Sequence, residues 1–125
     1  MPKVLDASAV LAVLREEPGC ERVLAALGDS VISSLNAAEV LRVLVRSGAS
    51  PADAKRAFAR LHLPVIAFDY DDAAEAVEVA RLAPELSLGD CACLALARRR
   101  GAAEVLTADR AWAACDFGVP LTLIR

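Results

Sequence analysis

Four carboxylates carry the chemical promise of this chain: Asp6, Glu39, Asp90 and Asp109, in the strings VLDASA, SSLNAAEV, LSLGDCA and VLTADRAW. Each lies where an apolar run passes into a turn or a helix. Carboxylates gathered in one place repel one another, so a fold that assembles four of them needs a counter-ion. Their oxygens are hard donors, and no histidine or cysteine stands beside them in a ligand pattern. That favours Mg²⁺, with Mn²⁺ as the alternative, over zinc. The chemistry of such a cluster is metal-assisted attack of water on a phosphate ester. Two hydroxyls, Ser8 and Thr107, are spaced to orient a carboxylate or a coordinated water, and Asp116 is a weaker fifth acid.

Each acid also has an ordinary structural role open to it. Asp6 can cap the helix that starts near Ala9. Glu39 has Arg42 and Arg46 along its helix for an ion pair. Ser87 and Asp90 spell S-x-x-D, a capping box, and Asp109 can cap the short helix that follows it. Asp69, Asp71 and Asp72 also follow a strand, but read as the exposed start of the next helix. What separates the first four is joint placement on successive strand–helix units.

Those units are legible. Short apolar runs at Lys3–Leu5, Val31–Ser33, Pro64–Phe68, Glu104–Thr107 and Leu121–Ile124 are expected strands. Helical patterns fall between them, at about Ala9–Glu16, Cys20–Leu27, Leu35–Ser47, Pro51–Leu61, Asp72–Ala83, Gly89–Arg100 and Arg110–Ala114. Regular alternation implies an α/β fold: a three-layer α/β/α sandwich around a mainly parallel sheet of four to five strands. Continuously apolar strands such as Pro64–Phe68 suit burial on both faces. Ser50 before Pro51 marks a helix start, Gly48 the stop before it, and Gly101 a helix end. In open sheets of this kind ligands bind beyond the carboxyl ends of the strands, where the strand order reverses. The acids belong there.

Composition narrows the function. The 125 residues are expected to form a single domain spanning 1–125, with 57% hydrophobic residues and a mean hydropathy of +0.45. No stretch reaches the roughly 18 apolar residues of a membrane span, and the N-terminus lacks the pattern of a signal peptide. The apolar excess points to a buried sheet and a subunit interface. A net charge of −3 excludes a protein that grips nucleic acid by bulk electrostatics. Arg98, Arg99 and Arg100 read as a solvated helix end, with a phosphate-binding edge as the sharper alternative. Cys20, Cys91, Cys93 and Cys115 show no CxxC spacing, so neither zinc nor a disulfide framework is expected. A reducing cytoplasm is the default location.

The strings VLDASAVLAVL, SSLNAAEV, LSLGDCACLALA and VLTADRAW, in that order, resemble a PIN domain, specifically the VapC-type toxin of bacterial toxin–antitoxin pairs. The resemblance spans essentially the whole chain. LSLGD…CLALA followed by LTAD…W is its most specific part. It implies a Mg²⁺-dependent ribonuclease whose acidic positions fall on Asp6, Glu39, Asp90 and Asp109, with its small hydroxyl position on Ser8. It implies a homodimer, and inhibition by a small antitoxin (VapB-like) that carries a DNA-binding domain and blocks the acidic pocket with its tail. Asn36 and Cys91 take no role from it. The alternatives are a PIN-like scaffold that binds RNA or protein without cutting, and a receiver-type signalling domain. The latter needs a lysine near its last strand, and the chain has only Lys3 and Lys55.

Overall fold

The computed structural model describes residues 1–125. Five strands form one sheet: β1 (Lys3–Leu5), β2 (Ser30–Ser33), β3 (Val65–Ile66), β4 (Val105–Thr107) and β5 (Leu121–Leu123). Six α-helices connect them: α1 (Ala7–Leu14), α2 (Cys20–Ala26), α3 (Ser34–Arg46), α4 (Pro51–Ala59), α5 (Tyr70–Leu82) and α6 (Leu88–Arg100). The segment Arg110–Ala114 is a 3₁₀ turn rather than an α-helix. Every strand pair is parallel, in the order β3-β2-β1-β4-β5. The chain works outward from β1 to β3, then crosses back over the sheet through α5 and α6 to place β4 on the other side of β1. The reversal point therefore lies between β1 and β4.

Period-two alternation along the central strands builds the three layers. Val4 and Val105 face one core with α5 and α6, while Leu5 and Leu106 face the other with α1, α2 and α3. Both cores are built of buried apolar side chains, and Trp112 is the largest in the first. Local signals set the helix ends. Ser50 Oγ accepts from the Asp53 N–H, with Pro51 in the first turn of α4. Gly101 closes α6 in the left-handed conformation that glycine adopts without a Cβ penalty.

Three expectations are corrected. The Pro64–Phe68 run pairs only through Val65 and Ile66, at the sheet edge, and Val65 is exposed. Ile66 and Phe68 pack against the first core, so the run is covered on one side rather than two. Asp72 is buried, not at an exposed helix start: it closes a capping box with Asp69 and takes an ion pair from Arg99 at 2.5 Å. That pair also revises the arginine run. Arg98 reaches Glu75 at 2.8 Å and Arg99 reaches Asp69, Asp71 and Asp72, so two of the three stitch α6 to α5. Arg98 and Arg99 are thus engaged in ion pairs within the protein, while Arg100 stays exposed.

Candidate active site

The carboxyl ends of β1 and β4 meet at the reversal point, and a hydroxyl network ties them together. Asp6 caps α1: its Oδ1 accepts from the Ala9 N–H at 2.8 Å and from Ser8 Oγ at 2.7 Å. Its Oδ2 accepts from Thr107 Oγ1, the last residue of β4, at 2.6 Å. Thr107 Oγ1 in turn accepts from the Asp109 N–H at 3.0 Å, and Ser8 Oγ from the Ala108 N–H at 2.9 Å. Both hydroxyls thus orient Asp6 and fix the chain that carries Asp109. Asp6 is buried, and that burial pushes its carboxyl up to about 6 despite these three donors, with the charge of Asp90 adding to the rise.

The other wall comes from α3 and α6. Glu39 lies one turn beyond Asn36, and its Oε1 accepts from Asn36 Nδ2 at 2.7 Å rather than pairing with Arg42 or Arg46. The same Nδ2 donates to the Gly89 carbonyl of α6 at 2.9 Å. Asp90 completes the capping box with Ser87, its Oδ2 accepting from the Ser87 N–H at 3.2 Å while its own N–H donates to Ser87 Oγ. Its carboxyl is raised by partial burial and by the charge of Asp109. Asp109 Oδ1 accepts from the Ala111 N–H at 3.0 Å, and the side chain is exposed.

All four acids line one cleft of about 260 Å³, together with Ser8, Asn36 and Arg42. Capping and cleft-lining are therefore simultaneous roles for the three aspartates. Beneath the cleft, Cys93 is fully buried in α6. Burial holds its thiol well above the ordinary range, with the charges of Asp6, Asp90 and Glu39 adding to the rise. Arg42 also lines an adjoining groove of about 380 Å³ with Glu39, Ser87 and Gly89. Asp116 lies elsewhere, accepting from the Gly118 N–H. His62 sits exposed in the loop after α4.

A carboxylate offers roughly four lone-pair positions. Asp6 fills three of them within the protein, whereas Glu39 Oε2, Asp90 Oδ1 and Asp109 Oδ2 accept from no protein donor. The donor set is all oxygen. No three of the acidic, histidine or cysteine side chains stand together as a ready-made cage for one ion. Asn36 is the residue that sequence reasoning passed over. The signal was there: an amide one helical turn before Glu39 shares its face.

The parallel five-stranded sheet and its acid-lined reversal point define an α/β/α fold of the PIN type. A family model described as PIN domain matches residues 3–118, and the chain belongs to the PIN domain family. No curated protein matches the sequence. Among solved structures, VapBC2 from Rickettsia felis, bound to a DNA fragment from its promoter, aligns with a TM-score of 0.76 at 14% identity, covering 98% of both chains. VapC20 of Mycobacterium tuberculosis, a sarcin-ricin-loop-cleaving toxin, aligns at 0.69 with 21% identity over 94% of this chain and 99% of its own. VapBC-5, a toxin–antitoxin family member from the same organism, aligns at 0.62 with 26% identity over 99% and 98%.

Proposed function

We propose that this protein is a Mg²⁺-dependent endoribonuclease that hydrolyses RNA phosphodiester bonds, the VapC-type toxin of a toxin–antitoxin pair. The observation that carries the reading is the cleft itself. Acids from four separate places in the chain, each at a position the family resemblance assigns to the metal site, line a single small cavity at the reversal point of the sheet. Nothing structural requires that convergence, since each aspartate could cap its helix without facing the others.

The donor set fits Mg²⁺. This ion takes hard oxygens, needs only one or two carboxylates directly and keeps several waters, so acids spread around a small cleft suit it without a closed cage. Asp6 and Asp90 are the principal ligands, Glu39 joins them, and Asp109 at the exposed mouth acts through water or balances charge. Mn²⁺ would substitute. When bound, the ion supplies a water of lowered pKa and positive charge against the phosphate. The chain's own contribution is placement. Ser8, Thr107 and the Ala9 N–H lock Asp6 in one rotamer, and Ser87 does the same for Asp90. Arg42, exposed at the junction of cleft and groove, is the cation placed to meet a backbone phosphate. Local contact of this kind is what a net-negative protein needs.

RNA as substrate and an antitoxin as partner are supported by the relatives of the same fold, one of them a toxin that cleaves the sarcin-ricin loop and others toxin–antitoxin complexes. Homodimerisation is supported by a wholly apolar groove of about 560 Å³ on the α5–α6 face, with Val77 and Leu88 at 60% and 65% exposure. No helix is long and apolar enough to cross a membrane, and four free thiols suit the cytoplasm. The test is cleavage of structured RNA with and without Mg²⁺. Wild type should cut only with the metal, and Asp90→Asn should lose the activity. Cleavage by Asp90→Asn at the wild-type rate would refute the assignment. RNA binding without cleavage by wild type would indicate a non-catalytic scaffold.

A further inference from the structure

We infer that Asn36 and Gly89 are positioning residues that act as a pair on the Glu39 carboxylate, Asn36 by gripping it and Gly89 by leaving it room. The inference rests on the metal-centre reading above and adds to it the device that fixes one wall of the cleft.

Asn36 is 1% exposed. Its Nδ2 is shared between two acceptors on different elements, Glu39 Oε1 at 2.7 Å and the Gly89 carbonyl at 2.9 Å. Turning the amide over would set Oδ1 against two acceptors, so the donors alone satisfy this geometry. One side chain therefore ties the glutamate of α3 to the first turn of α6, where Asp90 is the next residue. A donor to a carboxylate gives a charge-assisted hydrogen bond, stronger than its neutral counterpart. Asn36 lines the cleft, and its Oδ1 is buried with no protein donor. Buried acceptors of this kind are normally satisfied. A side chain chosen for packing alone would not leave one here, beside the acids.

Gly89 supplies the other half. A Cβ built on it would stand 2.3 Å from both Glu39 carboxylate oxygens, far inside contact distance. The φ of Gly89 is not in the left-handed region, so the helix itself has no need of glycine there. The glycine exists as clearance: the carboxylate lies directly against the backbone at the start of α6, where the helix dipole favours an anion. Any side chain at 89 drives Glu39 outward. Three flexible bonds and a nearby Arg42 one turn on then offer it other positions.

The experiment uses the full chain with Asn36→Ala and Gly89→Ala, Mn²⁺ alone as the probe, read by water proton relaxation. Melting in EDTA and RNA cleavage kinetics accompany it. Both variants should weaken Mn²⁺ binding by about tenfold or more, the usual effect of removing a group that orients a ligand. kcat should fall at limiting metal and recover toward wild type at high metal, with KM for RNA unchanged. Gly89→Ala should at the same time melt no lower than wild type, because alanine is the better helix residue. A merely structural role predicts the reverse: a lower melting temperature and full metal affinity. Wild-type Mn²⁺ affinity in both variants overturns the inference. Loss in Asn36→Ala alone overturns the clearance role of Gly89. A wild-type chain that takes up no Mn²⁺ overturns instead the metal-centre reading beneath it.

Discussion

Replacing Asp6 by asparagine should make the metal-free protein more stable at neutral pH while abolishing its activity. The carboxyl stands at about 6 against an ordinary 3.8, chiefly because it is buried. That difference corresponds to about 3 kcal/mol. The folded state binds the proton more tightly than the unfolded one, so stability is fully present below pH 3.8. It falls as pH rises, and the loss is complete above about 6. Asparagine keeps Oδ1 for the Ala9 N–H and Ser8 but meets Thr107 with an amide, at a cost of about 1 kcal/mol. In EDTA, Asp6→Asn should therefore exceed wild type by about 2 kcal/mol at pH 7.5. Near pH 4 the order should reverse, with the variant lower by about 0.5 kcal/mol. Urea unfolding at four pH values between 4 and 7.5 measures the difference directly, and taking the difference cancels the other titrating groups. Added Mg²⁺ should then stabilise wild type by linkage and the variant much less. A variant less stable than wild type by the same amount at every pH would refute the claim that burial of this charge is the dominant cost.

Two further predictions concern the rest of the molecule. Arg99→Ala should lose about 1–3 kcal/mol in urea unfolding, because the Asp72 carboxylate, 4% exposed, is left buried without its cation. RNA cleavage should be unaffected, since position 99 is nine residues, roughly 13 Å of helix, beyond Asp90; reduced kcat with wild-type stability would show that α6 transmits more than packing. Val77→Arg, at the apolar α5–α6 groove, should halve the mass seen by light scattering. A wild-type chain that is already monomeric at micromolar concentration would remove the argument for a second copy there.

Much of the architecture was legible because local signals and periodicity agreed. Capping at Ser50, Ser87 and Asp109 follows from side-chain oxygens within reach of their own helix N–H groups. Alternation of apolar runs with helical patterns implied the layered parallel sheet. The departures have a common cause. For Pro64–Phe68 and Asp72 the local pattern is silent on burial, which depends on what lies across the gap: nothing beyond the edge strand in one case, Arg99 of α6 in the other. The arginine run likewise looks solvent-facing until α5 brings Glu75 and Asp72 beneath it.

Residue types and local patterns sufficed to mark the candidate side chains, their hard-oxygen character and their order along strand–helix units. They left each acid with an adequate local explanation as a cap or an ion pair. Tertiary structure decided that these roles coexist, because β1 and β4 become neighbours only after α5 and α6 carry the chain back across the sheet. That crossover closes the bond from Thr107 to Asp6, 101 residues apart in sequence, and buries the carboxyl that a linear reading would leave ordinary. It likewise sets Gly89 against Glu39, a contact 50 residues apart (89 minus 39) that no local pattern contains.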